Sequence, residues 1–246
     1  MKLPRRSGWI NIVRVLLTLP AVAALLLMAA CSQQTGAGAA AGHASPAAAT
    51  LAEPTDPLAR LMAGNERFVH GQMQHMDQSA ARRGELVAGQ HPFAVIVSCS
   101  DSRVPPAVIF DQGLGRLFVV RLAGEVVDPA AVGSVEYAVE HLHVHLIMVL
   151  GHDQCGAVKA AMQPGKFSPD LNAVVSRIEP AVAAARGEPG DMFTHAIDKN
   201  AELQASILAK NATLAADIKA GKLKIVAARY ELASGKVLLL TKDAAH

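Results

Sequence analysis

Two short apolar segments of the sequence each lead into residues that can bind a metal ion. Residues 93–97 lead to Cys99, and residues 146–150 lead to His152 and Cys155. Continuous apolar runs of this length are typical of buried parallel strands. Side chains just beyond the carboxyl ends of such strands share one crevice, so we expect these three side chains to meet.

The combination of cysteine and histidine side chains indicates zinc. Two thiolates and one imidazole suit this ion, and three protein ligands leave a fourth position for water, as in catalytic sites. Each half of the pattern is weak evidence alone, because a His-x-x-Cys pair occurs by chance and a buried cysteine is usually an inert core residue. Matched chemistry at two strand ends makes the prediction of a zinc site much stronger.

Asp101 and Arg103 follow Cys99 at alternate positions, which predicts that they act together. A carboxylate beside zinc can accept a hydrogen bond from bound water and orient that water. A free carboxylate would also tend to bind the metal, so we expect the Arg103 guanidinium to restrain Asp101 through paired hydrogen bonds. Competition between Arg103 and zinc would then switch the site between an open form and a closed form in which Asp101 is a ligand. An ordinary surface ion pair is the simpler alternative.

The composition argues against nucleic-acid binding. The chain has 246 residues, a formal net charge of +2 and 18% charged residues, so it lacks the basic surface that such binding needs. Aromatic residues, on which bases stack, make up only 4% of the chain. The first fifty or so residues do not have the pattern of a folded domain, which leaves roughly 200 residues, enough for a substantial core.

The amino end has the features of a secretory signal peptide, which we assign to residues 1–30. Basic residues precede the apolar residues 15–30, the order found in signal peptides. Cys31 directly follows small residues, which resembles a bacterial lipoprotein cleavage box and predicts lipidation of Cys31. An uncleaved membrane anchor is the alternative, although roughly 16 apolar residues fall short of the about 20 in a spanning helix. We therefore expect an exported, periplasmic protein that is anchored to the membrane through Cys31.

The composition after Cys31 changes again before the folded domain begins. Residues 31–55 are rich in Ala, Gly, Ser, Thr and Pro and predict a flexible tether, which leaves residues 56–246 as the catalytic domain. In an oxidising compartment Cys99 and Cys155 could form a disulfide instead of binding zinc. A disulfide would leave His152 unexplained.

The order of predicted elements indicates an α/β fold with a central, mostly parallel sheet, flanking helices and a C-terminal hairpin. Helix and strand alternate, which favours parallel strands joined by right-handed crossovers. Asp56-Pro57 and Asp128-Pro129 are each typical of a helix start. Strands are predicted over residues 93–97, 117–122 and 146–150, with the hairpin at 224–232 and 236–240. Further helices are predicted over residues 79–88, 157–162, 171–186, 193–210 and 212–220.

Three histidines, His141, His143 and His145, alternate with apolar residues just before the segment 146–150. Strand spacing would place their imidazoles on one face, and a second metal site is one reading of that pattern. A solvated face at the entry to the strand is the interpretation we prefer.

Several motifs resemble those of the β-class carbonic anhydrases. The two that carry the candidate ligands are Cys-Ser-Asp-Ser-Arg-Val-Pro-Pro at 99–106 and Gly-His-Asp-Gln-Cys-Gly-Ala at 151–157. Further similar motifs stand at residues 110–113, 118–121, 133–138 and 229–231. The resemblance covers most of residues 56–240, and motifs of this length are highly specific.

The resemblance implies a function and an assembly. Cys99, His152 and Cys155 would bind zinc, while Asp101 paired with Arg103 would orient the zinc-bound water or hydroxide that attacks carbon dioxide, giving bicarbonate and a proton. The family also implies an α/β fold built as intertwined dimers, often paired into tetramers, with the site near the dimer interface. The positions that line the substrate pocket in part of the family are Gln90, Phe118 and Tyr137.

Two departures from the family pattern stand out. Ala107 occupies a position where glutamate is common, and Glu125 follows Ala123-Gly124 where asparagine is usual. Glu125 would add negative charge near the family's interface region. Two other functions fit the same motifs: hydrolysis of carbon disulfide or carbonyl sulfide on this fold, and a non-catalytic zinc-binding lipoprotein.

Overall fold

The computed structural model describes residues 53–240, and the predicted signal peptide, Cys31 and most of the predicted tether lie outside this range. The described chain begins with helix α1, Pro57–Val69, followed by α2, Ala80–Glu85, and a 3-10 turn, Leu86–Ala88. The Asp56 side chain accepts a hydrogen bond from the Ala59 N–H at 2.7 Å and so caps α1, as its position before Pro57 predicts. Within the described range no helix is both long enough and apolar enough to cross a membrane.

Five strands form one sheet at the centre of the described chain. The strands are β1 Ala94–Cys99, β2 Leu117–Leu122, β3 Leu146–His152, β4 Lys224–Tyr230 and β5 Val237–Leu239. Their order across the sheet is β2-β1-β3-β4-β5, with every pair parallel except β4 and β5. The predicted α/β class, the mostly parallel sheet and the C-terminal hairpin are confirmed.

The remaining helices match predicted ones, apart from the short helix Pro106–Ile109, which was not predicted. They are α3 Pro106–Ile109, α4 Pro129–Leu142, α5 Gly156–Ala161, α6 Pro169–Ala185, α7 Met192–Ala209 and α8 Ala212–Lys219. Helix α4 begins after Asp128, whose side chain accepts a hydrogen bond from the Ala131 N–H at 2.8 Å. Capping by this short carboxylate satisfies one of the amide groups that a helix start leaves without a partner.

Hydrophobic residues pack on both faces of the sheet, as the continuous apolar strands require. One face of β1, β3 and β4 packs against α4, α7 and α8, and the other packs against α1 and the segment around Phe110. A third cluster joins α5, α6 and α7 around Cys99 and Cys155. The candidate site therefore lies where the strand ends meet this third group of helices.

The strand spacing considered for the three histidines was wrong. His141 lies in the last turn of α4, His143 ends that helix in a left-handed conformation with φ 55°, and His145 lies in the following loop. All three are exposed, as the preferred interpretation predicts. They form no metal-binding group among the described residues.

Candidate active site

The three predicted ligands converge at the carboxyl ends of two neighbouring strands. Cys99 ends β1, His152 ends β3, and Cys155 stands just before α5. Because β1 and β3 are paired and parallel, their last residues lie at the same edge of the sheet. The two sulfurs and the imidazole nitrogen lie within 4.8 Å of one another, and all three side chains are buried. Both cysteines are free thiols, which contradicts the disulfide alternative.

The imidazole of His152 is oriented for metal binding through Nε2. Its Nδ1 lies 2.8 Å from the backbone oxygen of Asp153, so Nδ1 carries the proton and donates it there. Nε2 is buried and has no hydrogen-bond partner. Metal-bound histidines usually donate their other ring N–H to a carbonyl or carboxylate in this way. An unpaired ring nitrogen beside two sulfurs fits zinc.

The two thiols differ in acidity because they contact each other. A hydrogen bond from Cys155 lowers the pKa of Cys99, and interactions with His152 and the Gly124 N–H act in the same direction against burial. The same hydrogen bond and burial raise the pKa of Cys155. Without metal, Cys99 is therefore the more acidic thiol and Cys155 keeps its proton. A bound divalent cation would displace that proton, because thiolate is the form that binds metal.

Asp101 is held by Arg103 in the predicted forked arrangement. Arg103 Nε donates to Asp101 Oδ1 at 2.9 Å and Nη2 donates to Oδ2 at 2.7 Å, while the Arg103 backbone N–H also donates to Oδ1 at 2.9 Å. The side-chain hydrogen bonds from Arg103 keep the pKa of Asp101 well below its usual range. Asp101 Oδ2 lies 3.9 Å from His152 Nε2, so an ionised carboxylate stands beside the unpaired ligand nitrogen. This is the arrangement predicted for the open form.

Arg121, at the end of β2, supports the backbone of the site and was not singled out as a site residue from the sequence. Its Nε donates to the Cys99 backbone oxygen at 3.0 Å, and its Nη2 donates to the Asp101 backbone oxygen at 2.6 Å. The guanidinium thus fixes the loop that carries both residues. The signal in the sequence was its place at the end of a strand, directly beside the strand that leads to Cys99.

The turn after β2 approaches Cys99 from the other side. Residues Ala123–Glu125 form a 3-10 turn in which the Gly124 N–H donates to Cys99 Sγ at 3.3 Å. Glu125 is fully buried within the chain, beside the site, and burial together with the negative charge of Cys99 raises its pKa to about 8. Its side chain therefore lies inside this chain, and its position near a subunit interface stays a prediction. Ala107 is exposed in α3.

The predicted substrate-pocket residues occupy different environments. The rings of Phe118 on β2 and Tyr137 on α4 pack with their centroids 6.4 Å apart, and Tyr137 is 48% exposed. Gln90 lies exposed in the loop before β1. The structure therefore brings two of the three residues together, and their role in binding substrate stays a prediction.

Comparison with known sequences identifies close relatives of this chain. A family model described as carbonic anhydrase matches residues 94–237, a range that contains the three candidate ligands, Asp101 and Arg103. Carbonic anhydrase 2 of Mycobacterium tuberculosis is 44% identical over 196 residues, which cover 75% of this chain and 93% of the relative. A carbonic anhydrase of Mycolicibacterium smegmatis is 43% identical over 189 residues, which cover 72% and 88% of the two chains.

Solved structures agree with this comparison. The β-carbonic anhydrase CcaA superposes with a TM-score of 0.60 at 27% identity, over 74% of this chain and 86% of that chain. The Coccomyxa β-carbonic anhydrase in complex with acetazolamide superposes with a TM-score of 0.60 at 26% identity, over 77% and 88%. A tetrameric β-carbonic anhydrase of Sordaria macrospora shares the fold, with a TM-score of 0.61 at 24% identity over 74% and 93%.

Proposed function

The chain belongs to the β-class of carbonic anhydrases, zinc enzymes that hydrate carbon dioxide to bicarbonate and a proton, and we propose how its own residues perform this reaction. Cys99 Sγ, Cys155 Sγ and His152 Nε2 would hold the zinc. When bound, zinc lowers the pKa of a water molecule and so supplies a nucleophile near neutral pH. Two thiolates cancel the charge of the cation, so the water stays less acidic than at a site of three histidines.

Asp101 positions the reacting water. The carboxylate is ionised because Arg103 lowers its pKa, and an ionised carboxylate can only accept hydrogen bonds. Its position 3.9 Å from His152 Nε2 allows it to accept one from a water in the fourth metal position. Arg103 keeps Asp101 from becoming a metal ligand itself.

One observation carries this mechanism: three ligand atoms within 4.8 Å, with the ring nitrogen unpaired and an arginine-held carboxylate beside it. The test is carbon dioxide hydration by the purified protein across pH, with zinc content measured on the same sample. We expect an active plateau at high pH that falls as pH falls. Inactivity at every pH with full zinc would contradict the mechanism. Parallel assays with carbon disulfide and carbonyl sulfide distinguish the hydrolase alternative.

The substrate enters beside the aromatic pair. We assign Phe118 and Tyr137 to the wall of the carbon dioxide pocket, with Gln90 as a third member. The contact between the two rings supports this assignment for Phe118 and Tyr137. We expect Phe118→Ala to raise KM for carbon dioxide while zinc content stays unchanged. An unchanged KM would remove Phe118 from the pocket.

We also propose assembly into a homodimer or homotetramer. β2 is an edge strand of the sheet, and Val119 on it is 39% exposed. Exposed apolar side chains on an edge strand favour contact with a second copy. The tetrameric Sordaria macrospora relative is consistent with this proposal. Light scattering on the eluting protein measures the mass, and a monomer at micromolar concentration would contradict it.

Export and anchoring complete the proposal. Residues 1–30 act as a signal peptide, Cys31 is lipidated, residues 31–55 are a tether, and the enzyme stands in the periplasm at the membrane. In a bacterial host we expect the full chain in the membrane fraction and Cys31→Ser released from it. If both forms remain equally in the membrane fraction, the uncleaved anchor replaces the lipoprotein.

A further inference from the structure

A chain of buried polar side chains connects helix α7 to the turn beside Cys99. Asn200 and Gln204, one helical turn apart on α7, are both fully buried. Gln204 Oε1 accepts from the Val127 N–H at 2.9 Å, and Gln204 Nε2 donates to Asn200 Oδ1 at 3.2 Å. The contact from Gln204 fixes the orientation of the Asn200 amide, because it identifies the amide oxygen and so leaves the NH₂ group facing the turn.

The Asn200 amide in turn holds the backbone of residues Ala123–Glu125. Asn200 Nδ2 donates to the Gly124 backbone oxygen at 2.8 Å and to Glu125 Oε1 at 2.7 Å. Gly124 and Glu125 are both left-handed, with φ of 66° and 43°. A non-glycine residue in that region is strained and persists only where its surroundings hold it in place. Asn200 supplies two of the contacts that do so.

The same turn delivers a hydrogen bond to the metal site. Gly124 N–H donates to Cys99 Sγ at 3.3 Å, so the backbone of one residue, Gly124, contacts both Asn200, through its oxygen, and the sulfur, through its N–H. A larger residue at this position would force neighbours to shift, since a Cβ on Gly124 would stand 2.6 Å from Ile178 Cδ1 and 3.0 Å from Ala157 Cβ, and the φ of 66° itself favours glycine. Packing against Ile178 and Ala157 therefore helps to fix the position of Gly124 and of its N–H.

We propose that Asn200 is a positioning residue for the zinc site: it holds the turn Ala123–Glu125 so that the Gly124 N–H donates to the sulfur of Cys99. This inference rests on the proposed role of Cys99 as a zinc ligand. A hydrogen bond to a ligating thiolate withdraws charge from the sulfur and fixes its direction, which tunes both metal affinity and the acidity of a bound water. Asn200 acts through the turn and touches neither metal nor substrate.

Asn65 provides a matched control on the other side of the molecule. It is also a buried asparagine, 3% exposed, and it makes three hydrogen bonds, from Nδ2 to Ile109 O and Gly235 O and to Oδ1 from the Val237 N–H. Its partners lie in α3 and the C-terminal hairpin and include none of the ligands. Replacing Asn65 should therefore lower stability without changing the metal site.

The experiment compares Asn200→Leu with Asn65→Leu in the full chain. Zinc affinity is measured by competition with a chromophoric chelator, and the cobalt-substituted protein reports the thiolate-to-metal charge-transfer absorption. We expect Asn200→Leu to weaken zinc binding by about 10-fold, typical of an outer partner of a metal ligand, and to shift the absorption band. Asn65→Leu should keep the zinc affinity within about twofold of wild type, because Asn65 contacts neither a candidate metal ligand nor a residue that is hydrogen-bonded to one.

The outcomes separate this inference from the proposed function. Wild-type affinity and an unshifted band in Asn200→Leu would overturn the role of Asn200, as would equal weakening in Asn65→Leu. Absence of zinc binding by the wild-type protein would instead overturn the zinc site itself. If Asn200→Leu does not fold, Gln204→Met replaces it, because it frees the Asn200 amide to turn while keeping side-chain volume. Weaker zinc binding in Gln204→Met supports the inference, and unchanged binding and spectrum overturn it.

Discussion

The Arg103 guanidinium binds the Asp101 carboxylate through Nε and Nη2, at 2.9 and 2.7 Å, while Asp101 Oδ2 lies 3.9 Å from His152 Nε2. Asp101 Oδ2 thus accepts a hydrogen bond from Arg103 and keeps a second lone pair that can accept one from a water beside His152. Asp101→Asn keeps the shape of the side chain but removes its charge, so we expect kcat to fall at least about 100-fold, the usual contribution of a positioned acid or base. Zinc content should be unchanged, as measured by metal analysis.

Arg103→Gln should act in the same direction for a different reason. Without the guanidinium, Asp101 is free to take the fourth ligand position, so activity falls while zinc remains bound. Asp170→Asn, which changes an exposed carboxylate in the first turn of α6, is the control for both variants and should leave kcat unchanged.

Full activity in Asp101→Asn would show that the Asp101 carboxylate has no role in the reaction.

Removal of a single ligand should empty the metal site. Outer partners alone contribute about 10–100-fold to metal affinity, so His152→Ala should weaken zinc binding by more than about 100-fold. Metal analysis after dialysis against a mild chelator measures this. The control is His145→Ala, an exposed loop histidine, which should retain its zinc. Retention of stoichiometric zinc by His152→Ala would place the metal elsewhere.

Two helical glycines should respond in opposite directions to alanine. A Cβ on Gly64 in α1 would lie 1.9 Å from the Phe110 backbone oxygen, whereas a Cβ on Gly84 in α2 would meet nothing within 4 Å. Gly84→Ala should therefore stabilise the protein by about 0.5–1 kcal/mol through helix propensity. Gly64→Ala should cost about 3 kcal/mol or more, since backbone cannot move aside cheaply. Urea unfolding measures both, and equal effects would refute the packing of α1 against Phe110.

Arg67, which is partly buried, and Asp111, which is fully buried, form an ion pair whose contribution to stability should depend on pH. Burial acts to raise the pKa of Asp111, but hydrogen bonds from the Gln74 N–H, the Arg67 side chain and the His75 N–H outweigh it and lower the pKa. A lowered folded-state pKa adds stability above the unfolded value of about 3.9, and this stability is lost as pH falls through the folded value.

Arg67→Met should thus destabilise the zinc-free protein by about 3 kcal/mol at pH 7, because Asp111 remains charged and buried. The difference from wild type should shrink as pH falls through the lowered folded-state pKa of Asp111, because a protonated carboxyl no longer needs the Arg67 charge. Urea unfolding at pH 7 and at acid pH tests this. Glu85→Gln, at a pair in which Glu85 is 64% exposed, should change stability by less than about 1 kcal/mol at either pH. A pH-independent loss in Arg67→Met would contradict the ionic origin.

Most of the fold could be predicted from the sequence because local signals and long-range packing agree. The caps Asp56 and Asp128 stand beside prolines and start their helices as expected. Strands β1 and β3 both run two residues further than the apolar pattern, since pairing with neighbours continues to Cys99 and His152. The strand spacing read at His141, His143 and His145 was wrong because these residues span the end of helix α4. A helix that ends in a left-handed residue leaves no characteristic pattern in the sequence.

The candidate ligands could also be predicted, because the sequence itself shows both their residue types and their positions directly after apolar strand segments. The supporting contacts could not. Asn200 reaches Gly124 across 76 positions of sequence, and Arg121 reaches the Cys99 backbone oxygen across 22. Such hydrogen bonds depend on how a helix lies against a turn, and no local pattern records that.

The placement of Cys99 and His152 on two different strands determines when metal can be captured. In an unfolded chain nothing keeps the sulfur of Cys99 near the imidazole of His152. The pairing of β1 with β3 brings the two side chains together. The zinc site therefore exists only after the sheet has formed. A chain that crossed a membrane unfolded would have to bind its zinc on the far side of that membrane, after folding.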